Sequence, residues 1–153
     1  MILRAGTIIK STAALNDTAF ADTAILIVED NTNGALGFVI NQPFERSLNE
    51  LAEFNDVPYF SLYRGGPVDM EHLFFIHQRP GIITGGKVVN NGVYYGGDFG
   101  QAVTGIRQAM LSSNDIKIFV GYCGWDADEL EQEIAEGSWE FVVTGVDVFK
   151  GCI

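Results

Sequence analysis

The stretch AILIVEDNTNGALGFVIN (residues 24–41) constrains the fold more than any other part of the chain. Residues 24–30 are apolar on both alternating faces, the pattern of a strand covered on both sides within a sheet. Residues 31–34, NTNG, carry turn chemistry, with Asn33-Gly34 supplying the positive φ of a tight hairpin. Residues 35–41 return as a second strand, and Pro43, which has no N–H to donate, opposes its continuation. Strand-type segments recur at 59–64 and 73–78, joined by GGPVDMEH, and at 116–122. A further hairpin is expected about Asn91-Gly92, and SWEFVV and VDVF read as closing strands.

Helices are interspersed. Ser47 and Glu50 form the capping-box pattern that opens a short helix. Residues 98–111 are the clearest helical segment, with Asp98 and Gln101 at its start. Phe99, Ala102, Val103, Ile106, Ala109 and Met110 form one apolar stripe. In GYCGWDADELEQEIAEGSW (121–139), Asp126 reads as an N-cap with Glu129 completing its box, Trp125 and Leu130 as a staple, and Gly137 as the stop. Hairpin-linked strands mixed with helices indicate an α+β fold. The length, 153 residues, fits one domain over 1–153 with enough interior to need no disulfide or metal.

Charge narrows the function. Twenty acids face nine lysines and arginines, a formal charge of −11. The cations, spread from Arg4 to Lys150, form no cluster, so direct nucleic-acid binding is not expected. Cys123 and Cys152, without CxxC spacing, fit a reducing cytosol. No signal-peptide pattern and no bilayer-length apolar run is visible, so the expected location is cytoplasmic, with no membrane partner.

Several motifs resemble sites. GIITGGKV (81–88) matches GxxxxGK, but Val88 replaces the hydroxyl residue that would hold magnesium and β-branched residues follow where a helix should start. EDNTNG imitates a calcium loop, yet Ile40 stands at the twelfth position. His72 and His77, five apart beside a strand, point to opposite faces and cannot share a metal. Cys123, followed by Asp126, Asp128 and Glu129, lacks the positive surroundings a thiolate needs. It reads as a small buried side chain alternating with Phe119 and Gly121. No catalytic set, metal site or cofactor is expected.

Taken together, Gly6, Leu15, Asp17 and Phe20, GALGFVINQP (34–43), GGPV (65–68), LFFIH (73–77), GYCGWDADELEQEI (121–134) and Trp139 resemble the AlgH/YqgE family of bacterial proteins over nearly the whole chain. Asp30 departs from the histidine common there, and Cys123 from a small alanine or serine. The resemblance implies a bent, bifurcated, largely antiparallel sheet (a partial barrel) flanked by helices. It also implies a transcriptional regulator, although no helix-turn-helix, zinc module or basic helix is present to read DNA.

Two functional expectations follow. The first is a non-catalytic interaction module whose acidic helix meets a protein partner, basic where it touches Glu129, Glu133 and Glu136. Glu133 and Glu136 lie at the unfavourable end of the helix dipole with no lysine at i+4, which local physics leaves unexplained. The alternative is an anionic-ligand site or enzyme where VINQP, YRGGPV and FIH converge. Its groups would be Arg64 for the anion, Asn41 to orient it, the open amides of Gly65 and Gly66, and His77 as acid or base. DNA binding ranks below both.

Overall fold

The computed structural model describes residues 2–90, 92–143 and 146–151. Among these the chain forms ten strands and two α-helices. The strands are β1 (Ile8–Ser11), β2 (Ala24–Asn31), β3 (Gly34–Val39), β4 (Pro43–Ser47), β5 (Ser61–Arg64), β6 (Val68–His77), β7 (Lys87–Asn90), β8 (Val93–Tyr95), β9 (Ile116–Asp126) and β10 (Trp139–Val142). The helices are α1 (Phe99–Arg107) and α2 (Glu129–Ala135). Two 3₁₀ turns, Leu48–Glu50 and Ala52–Phe54, link β4 to β5.

The central hairpin is present: Asn31 pairs with Gly34 across a two-residue loop, and Asn33 N–H closes it on Asn31 Oδ1 (2.8 Å). Gly34 takes the positive φ (138°) and Asn33 does not. The sheet runs in the order β10-β1-β2-β3-β9-β6-β8-β7, with β5 also on β9 and β4 on β5. The fold is α+β; the sheet is antiparallel except for β5 beside β9, and it does not close into a barrel.

β9 is the branch. Ile118–Val120 pair with β5, whereas Cys123–Asp126 pair with β3. The joint between the two is Gly121, at φ 73°. This left-handed residue also resets the alternation of side chains. Lys117, Phe119 and Tyr122 point into the concave side of the bent sheet, whereas Ile116, Ile118 and Val120, and beyond the joint Cys123 and Trp125, pack on its outer faces. Cys123 therefore does not alternate with Phe119, as an unbroken strand would require.

Three apolar clusters follow from this geometry. Phe38, Ile40, Leu26, Ile76 and Phe119 fill the concave side, with Phe38 stacked on Phe119 at 4.5 Å between ring centroids. Ala102, Val103 and Ile106 of α1 cover Leu62, Phe75, Ile116 and Ile118 on one outer face. Leu130 of α2 covers Ile9, Ile25, Ile27 and Cys123 on the other.

Some elements end differently from their sequence pattern. α1 stops at Arg107, because Ala109 is left-handed (φ 58°) and the N–H groups of Met110 and Leu111 both return to Gly105 O. Leu111 thereby enters the core while Met110 is exposed. VDVF is a turn rather than a strand: Asp147 accepts from the N–H groups of Phe149 and Lys150 through its carboxylate. β9 continues through Asp126, so the acidic helix begins later than expected, after left-handed Asp128. Glu129 still accepts the Asp126 N–H (3.0 Å), half of the box read from the sequence. In the second hairpin Gly92 has φ 81°, while Asn91 lies outside the described residues. No helix among the described residues is long and apolar enough to cross a membrane.

Candidate functional site

The GGPV segment lies at the fork in the sheet. Gly65 N–H donates to Val120 O (2.9 Å) and Gly65 O accepts from Val39 N–H (2.8 Å), so this residue joins β9 to the end of β3. A Cβ on Gly65 would meet Phe119 Cβ at 2.8 Å and Gly121 O; one on Gly66 would overlap the carbonyl of Tyr122. One on Gly121 would meet Val68 O at 2.9 Å. Gly65, Gly66 and Gly121 are thus needed because backbone crosses backbone here, whereas a Cβ on Gly124 would meet only the Tyr122 ring at 3.4 Å.

The other candidate groups are each engaged within the fold but are not gathered there: His77, paired with Ile116, lies at the start of β9, away from the fork at Gly121. Asn41 donates from Nδ2 to Asp22 O (2.9 Å) and accepts Ala24 N–H at Oδ1 (3.0 Å), tying the end of β3 to the start of β2. Arg64 Nη2 bonds Glu45 (2.8 Å), and its guanidinium lies over the Phe44 ring. His77 is fully buried: Nδ1 accepts Arg79 N–H (3.1 Å), so Nε2 carries the proton and donates to Gly96 O (3.1 Å). Burial holds its pKa below the ordinary value, with the Gly96 bond opposing. All five residues have assigned roles within the fold. Cys123 is buried at the same fork, and burial pushes its thiol up to about 12 against a smaller opposing effect of the Val39 N–H.

The acidic helix also turns part of its charge inward. Glu133 Oε1 accepts the indole N–H of both Trp139 (2.9 Å) and Trp125 (3.2 Å). The two rings meet edge to face at 6.4 Å, with Trp139 3% and Trp125 9% exposed. This explains a glutamate near the C-terminal end of α2: it is the acceptor for two buried donors. Glu129 serves Asp126 N–H, and Glu136 is exposed.

A third place was not visible in the sequence. Val68 pairs with Tyr122 and Leu73 with Val120, so residues 69–72 of β6 bulge outward opposite Gly121. Asp69 is left-handed (φ 55°), and His72 Nδ1–H donates to Asp69 Oδ1 (2.6 Å), pinning the bulge. That bond raises the pKa of His72. Between the bulge and the 3₁₀ turns runs a groove of about 550 Å³. Its apolar side is Phe44, Leu51, Phe54, Leu73, Phe99 and Val120, and its ionisable groups are Arg46, Glu53, Glu71 and His72. The groove lies beside the first residue of α1, Phe99, with Val120 of β9 at its base. Phe99, against Phe54 at 5.8 Å, marks where the cover ends.

Residues 7–149 match the AlgH-like family. The chain belongs to that family. A UPF0301 protein of Chlorobium limicola is 39% identical over 90% of this chain and 73% of its own length. Another, from Bacteroides fragilis, is 35% identical over 88% and 68%. The solution structure of the AlgH protein from Pseudomonas aeruginosa superposes with a TM-score of 0.74 at 24% identity, covering 92% of this chain and 77% of that one. A crystal structure from Corynebacterium diphtheriae gives 0.72 at 20%, covering 97% and 85%. At these identities the structural likeness shows the AlgH-like fold.

One more buried charged group of this AlgH-like chain lies on β9. Lys117 is 1% exposed. Its Nζ donates to Ile40 O (2.7 Å), Val148 O (3.1 Å) and Phe149 O (3.4 Å), and lies 3.9 Å from the Tyr63 ring centroid. It fastens the C-terminal turn over the concave cluster. Its position between Ile116 and Ile118, in a strand with no other charge before Asp126, was the available signal.

Proposed function

We propose that this AlgH-like protein is a non-catalytic cytoplasmic module that works by docking another protein in the groove beside the 69–72 bulge. The observation that supports it is the apolar floor itself. Leu73 and Val120 belong to the α1-covered face, yet they line a groove that no element of the described chain fills. Met70 at its wall is 39% exposed, as is Val68 beside it. A half-apolar groove with an ionisable rim has the make-up of a surface that a partner covers. Any regulatory role would then run through protein contact rather than base reading.

The catalytic alternative has weaker support: a thiol pushed up to about 12 is a poor nucleophile, and both nitrogens of His77 are engaged inside the fold. An anion held by Asn41, Arg64 and the Gly65 amide would have to displace the Asn41 bonds to Asp22 and Ala24, the Arg64–Glu45 pair and the Gly65 N–H bond to Val120 O.

A photocrosslinking residue placed at Met70, and separately at exposed Met110 beyond α1, tests the proposal in cells of the source organism. Discrete protein adducts from position 70 that are lost in a Leu73→Asp background support docking at the groove. Adducts from position 110 alone, or none from either, would refute it.

A further inference from the structure

We infer that the groove's occupant is a basic, amphipathic peptide segment, with apolar side chains seated on half-buried Leu73 and Phe99 and lysine or arginine set against Glu53 and Glu71. This rests on the docking reading above and names the partner's chemistry.

Charge complementarity carries the argument. Glu29, Glu45, Asp56, Asp69, Asp115 and Glu140 are each ion-paired. Glu53 and Glu71, the two carboxylates of the groove, have no ion pair or side-chain hydrogen bond among the described residues. Of the opposing cations, His72 is hydrogen-bonded to Asp69 and also lies in the field of Glu71, which leaves Arg46 as the groove's other cation. An anionic ligand would meet two open carboxylates and a chain of net charge −11. A cationic one is steered towards the groove by the same field. The apolar floor adds a second requirement, because charge without apolar anchors would leave it wet. Arg46 suits a backbone carbonyl or a single acid of the occupant.

The test is an NMR titration of the full chain with three probes: a short leucine–lysine amphipathic peptide, its leucine–glutamate counterpart, and an oligolysine. The inference expects saturable shifts at Met70, Leu73 and Phe99 with the leucine–lysine peptide. Affinity should fall about tenfold in Glu53→Gln/Glu71→Gln, as for two rim contacts of about 0.7 kcal/mol each. The other two probes should leave the groove unshifted. Shifts centred on exposed Glu131 and Glu136 of α2, equal binding of the leucine–glutamate peptide or of oligolysine, or an unchanged affinity in the double variant would each overturn it. Adducts at position 70 without leucine–lysine binding would overturn the choice of occupant and leave the docking reading standing.

Discussion

Replacing Glu133 tests the reading of the acidic helix most directly, because one carboxylate oxygen accepts two buried indole N–H groups (2.9 and 3.2 Å). Hydrogen bonds to a charged group each contribute about 1.5–3 kcal/mol. Glu133 is half-buried, so the pair should be discounted toward the lower end. Glu133→Ala removes the one acceptor of both bonds and strands Trp139 and Trp125, which are too enclosed to find full replacement by water. A loss of about 2–4 kcal/mol is expected. Glu133→Gln keeps an acceptor oxygen without the charge, and neutral bonds are about half as strong, so its loss should be about 1–2 kcal/mol. Urea unfolding measures both as a shift in midpoint at unchanged slope. The two indole N–H resonances should move upfield in either variant and differ between them. If Glu133→Ala costs under about 0.5 kcal/mol, the range of a plain surface substitution, or if the indole signals stay in place, the glutamate is a solvated helix residue and the explanation fails.

Gly121→Ala should destabilise by about 2–4 kcal/mol, combining a left-handed alanine with overlap against Gly66 O and Val68 O; a midpoint within error of the parent would remove the fork argument. In a Cys152→Ser background, Cys123 should resist iodoacetamide at pH 8 while folded and react fully in urea, because burial raises its thiol to about 12; native-state alkylation at the rate of a free thiol would contradict this. Asp69→Asn should return the His72 pKa downward toward its ordinary value in an NMR titration, since the Asp69 hydrogen bond is the largest cause of its rise. The two histidines act oppositely on stability. His77, held below about 6.5, contributes fully above that pH, and its contribution is lost as pH falls and the unfolded chain takes the proton first. His72, held above it, contributes at lower pH and loses its contribution as pH rises through its folded value. Buried His77 should dominate, so midpoints measured at pH 7.5 and 5.5 should fall with acid, and His77→Gln should flatten the slope.

What the sequence disclosed and what it hid divide along one line: whether the cause is local. The 24–41 hairpin, the Asp98 cap and the Gly137 stop are set by neighbours a few residues away, and each is where its pattern says. The errors are places where a distant segment decides. Residues 146–149 alternate like a strand, yet Asp147 bonds its own successors and Lys117 holds the turn from 31 residues away. Glu133 looks misplaced until two tryptophans, one on β9 and one on β10, are brought to it by the fold. Cys123 falls on an outer face because one left-handed residue, Gly121, shifts the strand's alternation, a conformation that glycine permits but does not announce.

The same residue links the family motifs to the groove, which no single segment encodes. Gly121 lets β9 pass between Gly66 and Val68, and at that crossing the pairing of β6 skips from Val68 to Leu73. The four residues left over become the bulge that walls the groove, with His72 locked to Asp69. The fork glycines are required sterically by the fold, and the groove is a by-product of how they are satisfied. A role at this position therefore predicts two separable classes of variant. Changes at Gly65, Gly66 or Gly121 should cost stability and docking together. Glu53→Gln, Glu71→Gln and Met70→Asp, all at exposed positions, should cost docking while the unfolding midpoint stays within about 0.5 kcal/mol of the parent. If the rim variants unfold the chain, or if they leave docking intact, then the bulge serves only to finish the sheet and the groove reading collapses with it.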